Sequence, residues 1–333
     1  MAQRWRTDAN ALASATGRCH ALAAGHTTDV GLMPVSAQRR SLQEGRWHFQ
    51  HGPIDMVLQS DGDEQACAFA LENAWQRFTQ VLPELVSELP RLRMPVALLS
   101  VNDFHHPIAR RMYQATQAAA VATPEGFVTP MAAVAGSVAQ EIVGCLAQPG
   151  VNRAYVNNGG DIALYLRDGM QWRVGVVSDL SMALQRMSDA SSVSEQHILD
   201  GAFRVDAAQP VRGVATSGWQ GRSFSLGVAD SVTVLAATAA QADVAATLIA
   251  NAVNIDHPRI QRRPADSLRD DTDLGARLVT VDVPPLEDRL VQKALELGLD
   301  CARGMQALGL IHAAYLCCQG QALVAEPLEC WAG

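Results

Sequence analysis

Three short segments carry the residue types from which a ligand site could be built. The first is Asn157-Asn158-Gly159-Gly160-Asp161, set between two apolar runs. Its two glycines permit positive φ and close backbone approach, and Asp161 stands where the chain leaves the turn. Asn-Gly is also a strong hairpin signal, so a plain turn accounts for part of the pattern. The run is longer than a two-residue turn requires, which leaves room for a ligand. The second is Gly213-Val214-Ala215-Thr216-Ser217-Gly218, an apolar strand ending in two hydroxyls and a glycine. Such an end offers donors and open backbone to phosphate-like oxygens, although a Ser-Gly turn after an edge strand has the same composition. The third is Asp243 with Thr247, four residues apart in the first turns of a helix and therefore on one side of it. A carboxylate and a hydroxyl presented together suit a hard cation such as Mg2+, which completes its shell with water and substrate oxygens. The plainer alternative is that Asp243 complements the helix N-terminus while Thr247 packs.

Histidines add a fourth element. His51 and Asp55 flank Gly52-Pro53, a turn that could direct both polar side chains toward one site, or that could leave a solvated histidine. The pairs His105-His106 and Asp256-His257 are adjacent in sequence, so in extended chain their side chains diverge, and a structural or exposed role is expected. His26 has no assignable place. No nucleophile elbow, phosphate loop with its lysine, HExxH sequence or GxGxxG fingerprint is present.

The elements that must position these residues follow from periodicity. Trp47 to Leu58 reads as a strand or hairpin interrupted at His51-Gly52-Pro53. A helix follows to about Leu89, with Phe69, Ala70, Trp75, Phe78, Leu82 and Leu85 at three- and four-residue spacings, and Pro83 is expected to kink or divide it. A second helix lies between His106 and Val121, and Pro130 opens a small-residue helix. Short strands are expected at Ala154–Val156, Ile162–Leu166, Trp172–Val177, Val211–Thr216 and Ser231–Leu235, and residues 178–200 read as an exposed insertion or short helix. A helix from Ala240 to Val253, a polar mobile loop near 262–273, a strand at Leu278–Val283, a helix from Glu287 to Leu308 and a hairpin at Ile311–Ala325 complete the chain. No repeat is visible, and without regular βαβ alternation the fold class expected is α+β. The 333 residues are expected to form one domain, with an N-terminal segment 1–45 of uncertain order.

Composition excludes several classes. Hydrophobic residues make up 48% and charged residues 18%, the balance of a folded protein. Net charge is -8, which speaks against sequence-independent nucleic-acid binding. Of the 26 basic residues only Lys293 is lysine, so any Schiff-base, phosphate-loop or general-base lysine would have to be that one. Arginine cannot replace it as a base at neutral pH. The first ten residues lack the apolar core of a secretory signal, and no run approaches a membrane span. Seven cysteines without CxxC spacing point to neither zinc clusters nor a disulfide framework, and the adjacent Cys317 and Cys318 read as small buried apolar residues. A reduced, cytoplasmic protein is expected, with no nucleic-acid or membrane partner and homo-oligomerisation left open.

Taken in order, the motifs resemble the ApbE-like superfamily, whose best-known members are FAD:protein FMN transferases. The resemblance covers about residues 128 to 255. Asn158-Gly159-Gly160-Asp161 is similar to that family's Gly-Gly-Asp turn, and Trp172-Arg173-Val174-Gly175-Val176 to its Trp-x-Val-Gly strand. Ala215-Thr216-Ser217-Gly218 is similar to its Thr-Ser-Gly loop, and Ser231-Val232-Thr233-Val234 with Ala242-Asp243 and Thr247 to its last strand and helix. The resemblance implies a mixed architecture of antiparallel-rich sheets packed by helices. It implies magnesium at Asp243 and Thr247, and a flavin or other cofactor at Asn158, Gly159, Gly160, Thr216, Ser217 and Gly218. The transferases' Lys-Gly-Tyr-x-x-Asp helix is here Ala135-Gly136-Ser137-Val138-Ala139-Gln140, and their His-Ile-Ile-Asp-Pro segment is Ser225-Leu226-Gly227-Val228-Ala229-Asp230. These departures speak against FAD binding and flavin transfer. His51-Gly52-Pro53-Ile54-Asp55 and the Thr129–Gly136 stretch instead look like an uncharacterised ApbE-like branch.

The function expected on these grounds is a magnesium-dependent enzyme, a transferase in the family's terms. Its substrate would be a phosphorylated or heterocyclic small molecule of flavin, pterin or nucleotide type. Asp161, His51 and Asp55 are the candidate catalytic residues. The alternative is a non-catalytic cofactor-binding protein that keeps the pocket without the transferase chemistry.

Overall fold

The computed structural model describes residues 36–122, 127–176 and 201–327. Residues 1–35 and the 178–200 insertion lie outside them. Ser36–Arg173 with Arg204 onward cluster as one unit, and the strand ends Val174–Val176 and Gly201–Phe203 belong to another.

Among the described residues nine strands form a single antiparallel sheet. They are β1 (Gln38–Ser41), β2 (Trp47–His51), β3 (Ile54–Gly62), β4 (Val151–Asn158), β5 (Asp161–Leu166), β8 (Gly213–Ser217), β9 (Ser231–Ala236), β12 (Ala313–Cys318) and β13 (Gln321–Ala325), hydrogen-bonded in that order. Two ribbons stand apart, β6 (Gln171–Val176) with β7 (Gly201–Asp206), and β10 (Gln261–Pro264) with β11 (Leu278–Asp282). Among the described residues five α-helices accompany them: α1 (Glu64–Leu92), α2 (Pro107–Ala120), α3 (Val134–Leu146), α4 (Ala239–Ala252) and α5 (Asp288–Ala307). This is the expected α+β class with an antiparallel sheet packed by helices.

Register decides which residues face the helices. Leu58 pairs with Val156, Val156 with Ala163, Ala163 with Gly213, Ala215 with Val234 and Val234 with Ala314. Residues directly opposite share a face. These residues are all buried, and the apolar ones join the apolar sides of α1, α3, α4 and α5 in one core. The register also brings four turns to one edge of the sheet. They are Gly52-Pro53, Gly159-Gly160, the Gly218–Asp230 loop and Gln319-Gly320.

Several local expectations change in the structure. Pro83 neither divides nor ends α1, which continues to Leu92 through both Pro83 and Pro90. Both proline rings are exposed, while Phe78 and Val81 before Pro83, and Leu85 and Leu92 after it, are buried against the core. The helix packs on the core on both sides of the proline, and Asp63 caps the start through a 2.9 Å bond from Ala66 N–H. Pro130 opens a 3-10 turn, Pro130–Ala133, and the α-helix begins at Val134. The expected loop at 262–273 contains β10 and a 3-10 turn, and it is tied to Thr129 by the Asp273 carboxylate. The end of the 1–45 segment is ordered as edge strand β1. Cys318 is buried as expected, whereas Cys317 is only half-buried, and Cys67, Cys145, Cys301 and Cys318 form no disulfide among the described residues. None of the described helices is long and apolar enough to cross a membrane.

Candidate functional site

Asp161 begins β5 and shares the helix face of the sheet with Asn158, its partner across the Gly159-Gly160 turn. That turn uses both glycines, with φ at 68° and 115°, and is closed by a 2.8 Å bond from Gly160 N–H to Asn157 Oδ1. Asn158 is buried and donates to Ala135 O at 3.1 Å, fastening the turn to the start of α3. Asp161 accepts a hydrogen bond from the Thr216 backbone N–H, which draws in the end of β8. The turn and the Thr-Ser-Gly strand end therefore meet, as neighbouring strands of one sheet.

Asp243 arrives from α4. Its Oδ2 accepts the Gly136 N–H at 2.8 Å, and the Ala135 N–H also donates to its carboxylate. These are among the first N–H groups of α3, which lack partners inside their own helix. The residue preceding α3, Ala133, has no side chain with which to cap them. Asp243 thus caps a helix 107 residues earlier in the chain, rather than its own, whose cap is Thr238. Gly136 makes the approach possible, because a Cβ there would lie 2.2 Å from Ala239 O and 2.9 Å from Asp243 Cβ. This close approach is why the glycine matters in a helix whose other motif residues differ from the transferases.

The two carboxylates feel each other. Burial pushes Asp161 up to about 7, against the opposing pull of the Thr216 N–H and the Arg222 guanidinium. Burial and then the nearby Asp161 charge raise Asp243 well above the usual carboxylate range, with the Gly136 and Ala135 N–H groups acting against the rise. Paired acids crowded together in dense protein cannot both ionise cheaply without a cation. Thr247 follows Asp243 by one helical turn. Two carboxylates and a hydroxyl fit a hard ion that keeps water or ligand oxygens in its shell. Among the described residues no group of three or more His, Cys, Asp and Glu converges.

Other members of the expected site separate into groups. Thr216 presents its backbone to Asp161, while its hydroxyl pairs with Thr233 Oγ1 at 2.9 Å. Ser217 alternates to the helix face, and Gly218 lies against the Asp230 carbonyl, where a Cβ would fall 2.2 Å from the oxygen. His51 and Asp55 are not brought together. His51 pairs with Ile54 and Asp55 with Gln50, so the two side chains leave opposite faces of the sheet. His51 is buried near Phe78 with Nδ1 lacking a partner, whereas Asp55 bonds His48 Nε2 at 3.0 Å on the other face. The expectation of a convergent pair is corrected by strand alternation, since a two-residue turn fixes register and register fixes faces.

His105 and His106 donate backbone N–H groups to the buried Glu88, and His257 Nδ1 accepts from Arg259 N–H, so these pairs serve local structure. The segment replacing the transferases' His-Ile-Ile-Asp-Pro is consumed by packing. Ser225 Oγ and Leu226 N–H both bond Asn251 Oδ1, and Val228 N–H bonds Val253 O. Together with Ala135 in the lysine position, this does not fit the flavin dinucleotide of the transferases.

Arg222 was not singled out from sequence. It follows the turn after Gly218, and its Nη2 occupies the space above Gly159, where a Cβ would lie 1.5 Å away. The available signal was that it is the only basic residue between Ser217 and Asp230.

Comparison with known proteins agrees with the motif reading. A UPF0280 protein of Methanosphaerula palustris is 33% identical over 211 residues, 62% of this chain and 77% of that protein. UPF0280 proteins of Methanococcoides burtonii and Methanopyrus kandleri are 31% and 38% identical over 135 and 145 residues, where the chain spans about half of their length. Two solved structures align over most of the chain. The flavin transferase ApbE from Vibrio cholerae has 15% identity and TM-score 0.41, covering 84% of this chain and 97% of that one. The flavinyl transferase ApbE of Pseudomonas stutzeri has 12% identity and TM-score 0.41, covering 90% and 97%. Residues 38–324 match the family described as AbpE bacteria, and the chain belongs to that ApbE-like family.

Proposed function

We propose that this ApbE-like protein is a magnesium-dependent enzyme acting on a phosphorylated or heterocyclic small molecule, with Asp161, Asp243 and Thr247 holding the ion. The observation that carries the reading is the meeting of two half-buried carboxylates from different elements, both with raised proton affinity. Magnesium held there would neutralise negative charge developing on a phosphoryl group. The chain's own residues supply positioning. The Gly159-Gly160 turn offers backbone approach, Asn158 locks that turn to α3, and Thr216 N–H orients Asp161. Asp161, near neutrality in its proton exchange, is the group suited to hold or pass a proton when the ion is absent. His51 and Asp55 drop out as a pair because they occupy opposite faces.

The test is thermal unfolding with and without millimolar Mg2+ for the native protein and Asp243→Asn. Asparagine keeps an acceptor for the Gly136 N–H, so the cap survives while the charge is removed. The native protein should gain stability with Mg2+ and the variant should not. An equal shift in both would show that the ion binds elsewhere.

A second reading is a binding protein that keeps the pocket without transfer chemistry. It is supported by the consumption of Ser225, Leu226 and Val228 in packing, where the resemblance places the transferases' His-Ile-Ile-Asp-Pro segment. Retained Mg2+-dependent ligand binding without turnover of any flavin, pterin or nucleotide would favour it.

A further inference from the structure

We propose that Arg222 is an oxyanion clamp, holding a phosphate-type group of the ligand above the Gly159-Gly160 turn. The inference rests on the magnesium reading only for the anion's second contact, the ion at Asp161 and Asp243.

Four observations lead there. Arg222 is exposed, yet its guanidinium is placed over a backbone glycine rather than extended into solvent. Only a residue without Cβ leaves that space, and Gly159 is in the left-handed region at φ 68°. Among the described residues no carboxylate lies within ion-pairing distance of Arg222, and Asp161 feels its charge only at longer range. The loop that carries it is anchored at its base. Trp219 N–H bonds Ala229 O at 3.0 Å, the Trp219 indole bonds Asp230 Oδ1 at 3.3 Å, and Gly221 N–H bonds Gly218 O at 3.1 Å.

A planar guanidinium presents several parallel N–H donors, a pattern that matches two oxygens of a phosphate. Here that fork sits beside a turn of exposed backbone, on the same sheet edge as the paired carboxylates. The sequence supplies no lysine for this task, since Lys293 belongs to α5. An anion spanning Arg222 and a cation at Asp161 would be oriented at both ends. That geometry selects phosphorylated ligands over neutral heterocycles within the proposed substrate range.

Inorganic pyrophosphate is the probe, measured by calorimetric titration on the full chain with and without Mg2+. Arg222→Gln should weaken pyrophosphate binding by about 10- to 100-fold, the factor for losing a charge-assisted bidentate contact. Its thermal shift with Mg2+ alone should be unchanged. Arg222→Lys, which keeps charge without the fork, should recover only part of the loss. Gly159→Ala keeps the arginine but fills its seat, so binding should weaken there too, with folding checked by circular dichroism. The proposal is overturned if Arg222→Gln or Gly159→Ala, each folded, binds pyrophosphate as the native protein does. It is also overturned if the native protein binds neither phosphate nor pyrophosphate in either condition. Loss of pyrophosphate binding in Arg222→Gln without any Mg2+ effect in the native protein would uphold the clamp and remove the magnesium reading.

Discussion

Without a bound cation, this protein should become less stable as pH rises from mildly acidic to mildly alkaline, and Asp161→Asn should flatten that loss. Asp161 moves from 3.8 in the unfolded chain to about 7 in the folded protein. A group whose folded pKa is raised favours folding when protonated. Its contribution is complete below the unfolded value and disappears as pH climbs through the folded one. The displacement corresponds to about 4 kcal/mol at most, and Asp243 acts in the same direction. Because the two acids interact, the protons leave in steps that belong to the pair, so the summed loss is the quantity to read. Urea unfolding in EDTA between about pH 5 and about pH 8 measures it directly. The substituted amide still accepts the Thr216 N–H, so the fold is kept while one charge is removed. Asp243 then loses its like-charged neighbour and should titrate lower. Adding Mg2+ should restore stability chiefly at the alkaline end, where the carboxylates are ionised. Stability that rises over this window in the native protein, or an unchanged slope in Asp161→Asn, would refute the coupled-carboxylate argument.

Four further outcomes are expected. Gly136→Ala places a Cβ 2.2 Å from Ala239 O, and should cost about 1–3 kcal/mol in urea unfolding while diminishing the Mg2+ shift, since α3 and Asp243 must separate. Arg77→Met should cost about 3 kcal/mol, toward the low end for broken buried pairs, because Glu84 and Glu141 lose their shared partner at 2.7 Å. Burial alone would raise Glu141, but bonds from Arg77 and Arg111 outweigh it and hold it below the usual value, so the network's stabilisation should fade on acidification. FAD incubated with Mg2+ and the protein should not yield FMN and AMP; their appearance on chromatography would show that the missing histidine and lysine are dispensable.

Much of the fold was legible because its signals are local. Alternating apolar residues marked β3 to β5, β8, β9 and the terminal hairpin, and Pro107 marked the start of α2. The proline in α1 leaves the helix undivided, since its effect depends on what the neighbouring turns pack against. The Gly-Gly-Asp turn, the Thr-Ser-Gly strand end and Asp243 were visible as residue types in order. Their meeting in space follows from the adjacency of β4, β5 and β8 and from α4 lying over β5, β8 and β9. Arg222 was harder to see, because an exposed loop arginine has no periodicity, and its meaning lies in the missing Cβ of Gly159.

By itself, the sequence determined the chemical inventory. One lysine, a glycine-rich turn ending in aspartate and an Asp-Thr helical pair are fixed by composition and spacing alone. Tertiary structure decided which of these residues act together. It sent His51 and Asp55 to opposite faces, because side chains alternate along paired strands. It carried Asp243 to the start of α3, because Ala133 cannot cap that helix and Gly136 lets the two helices close. Charges distant in the chain altered each other's protonation only once the sheet and α4 had removed water from between them.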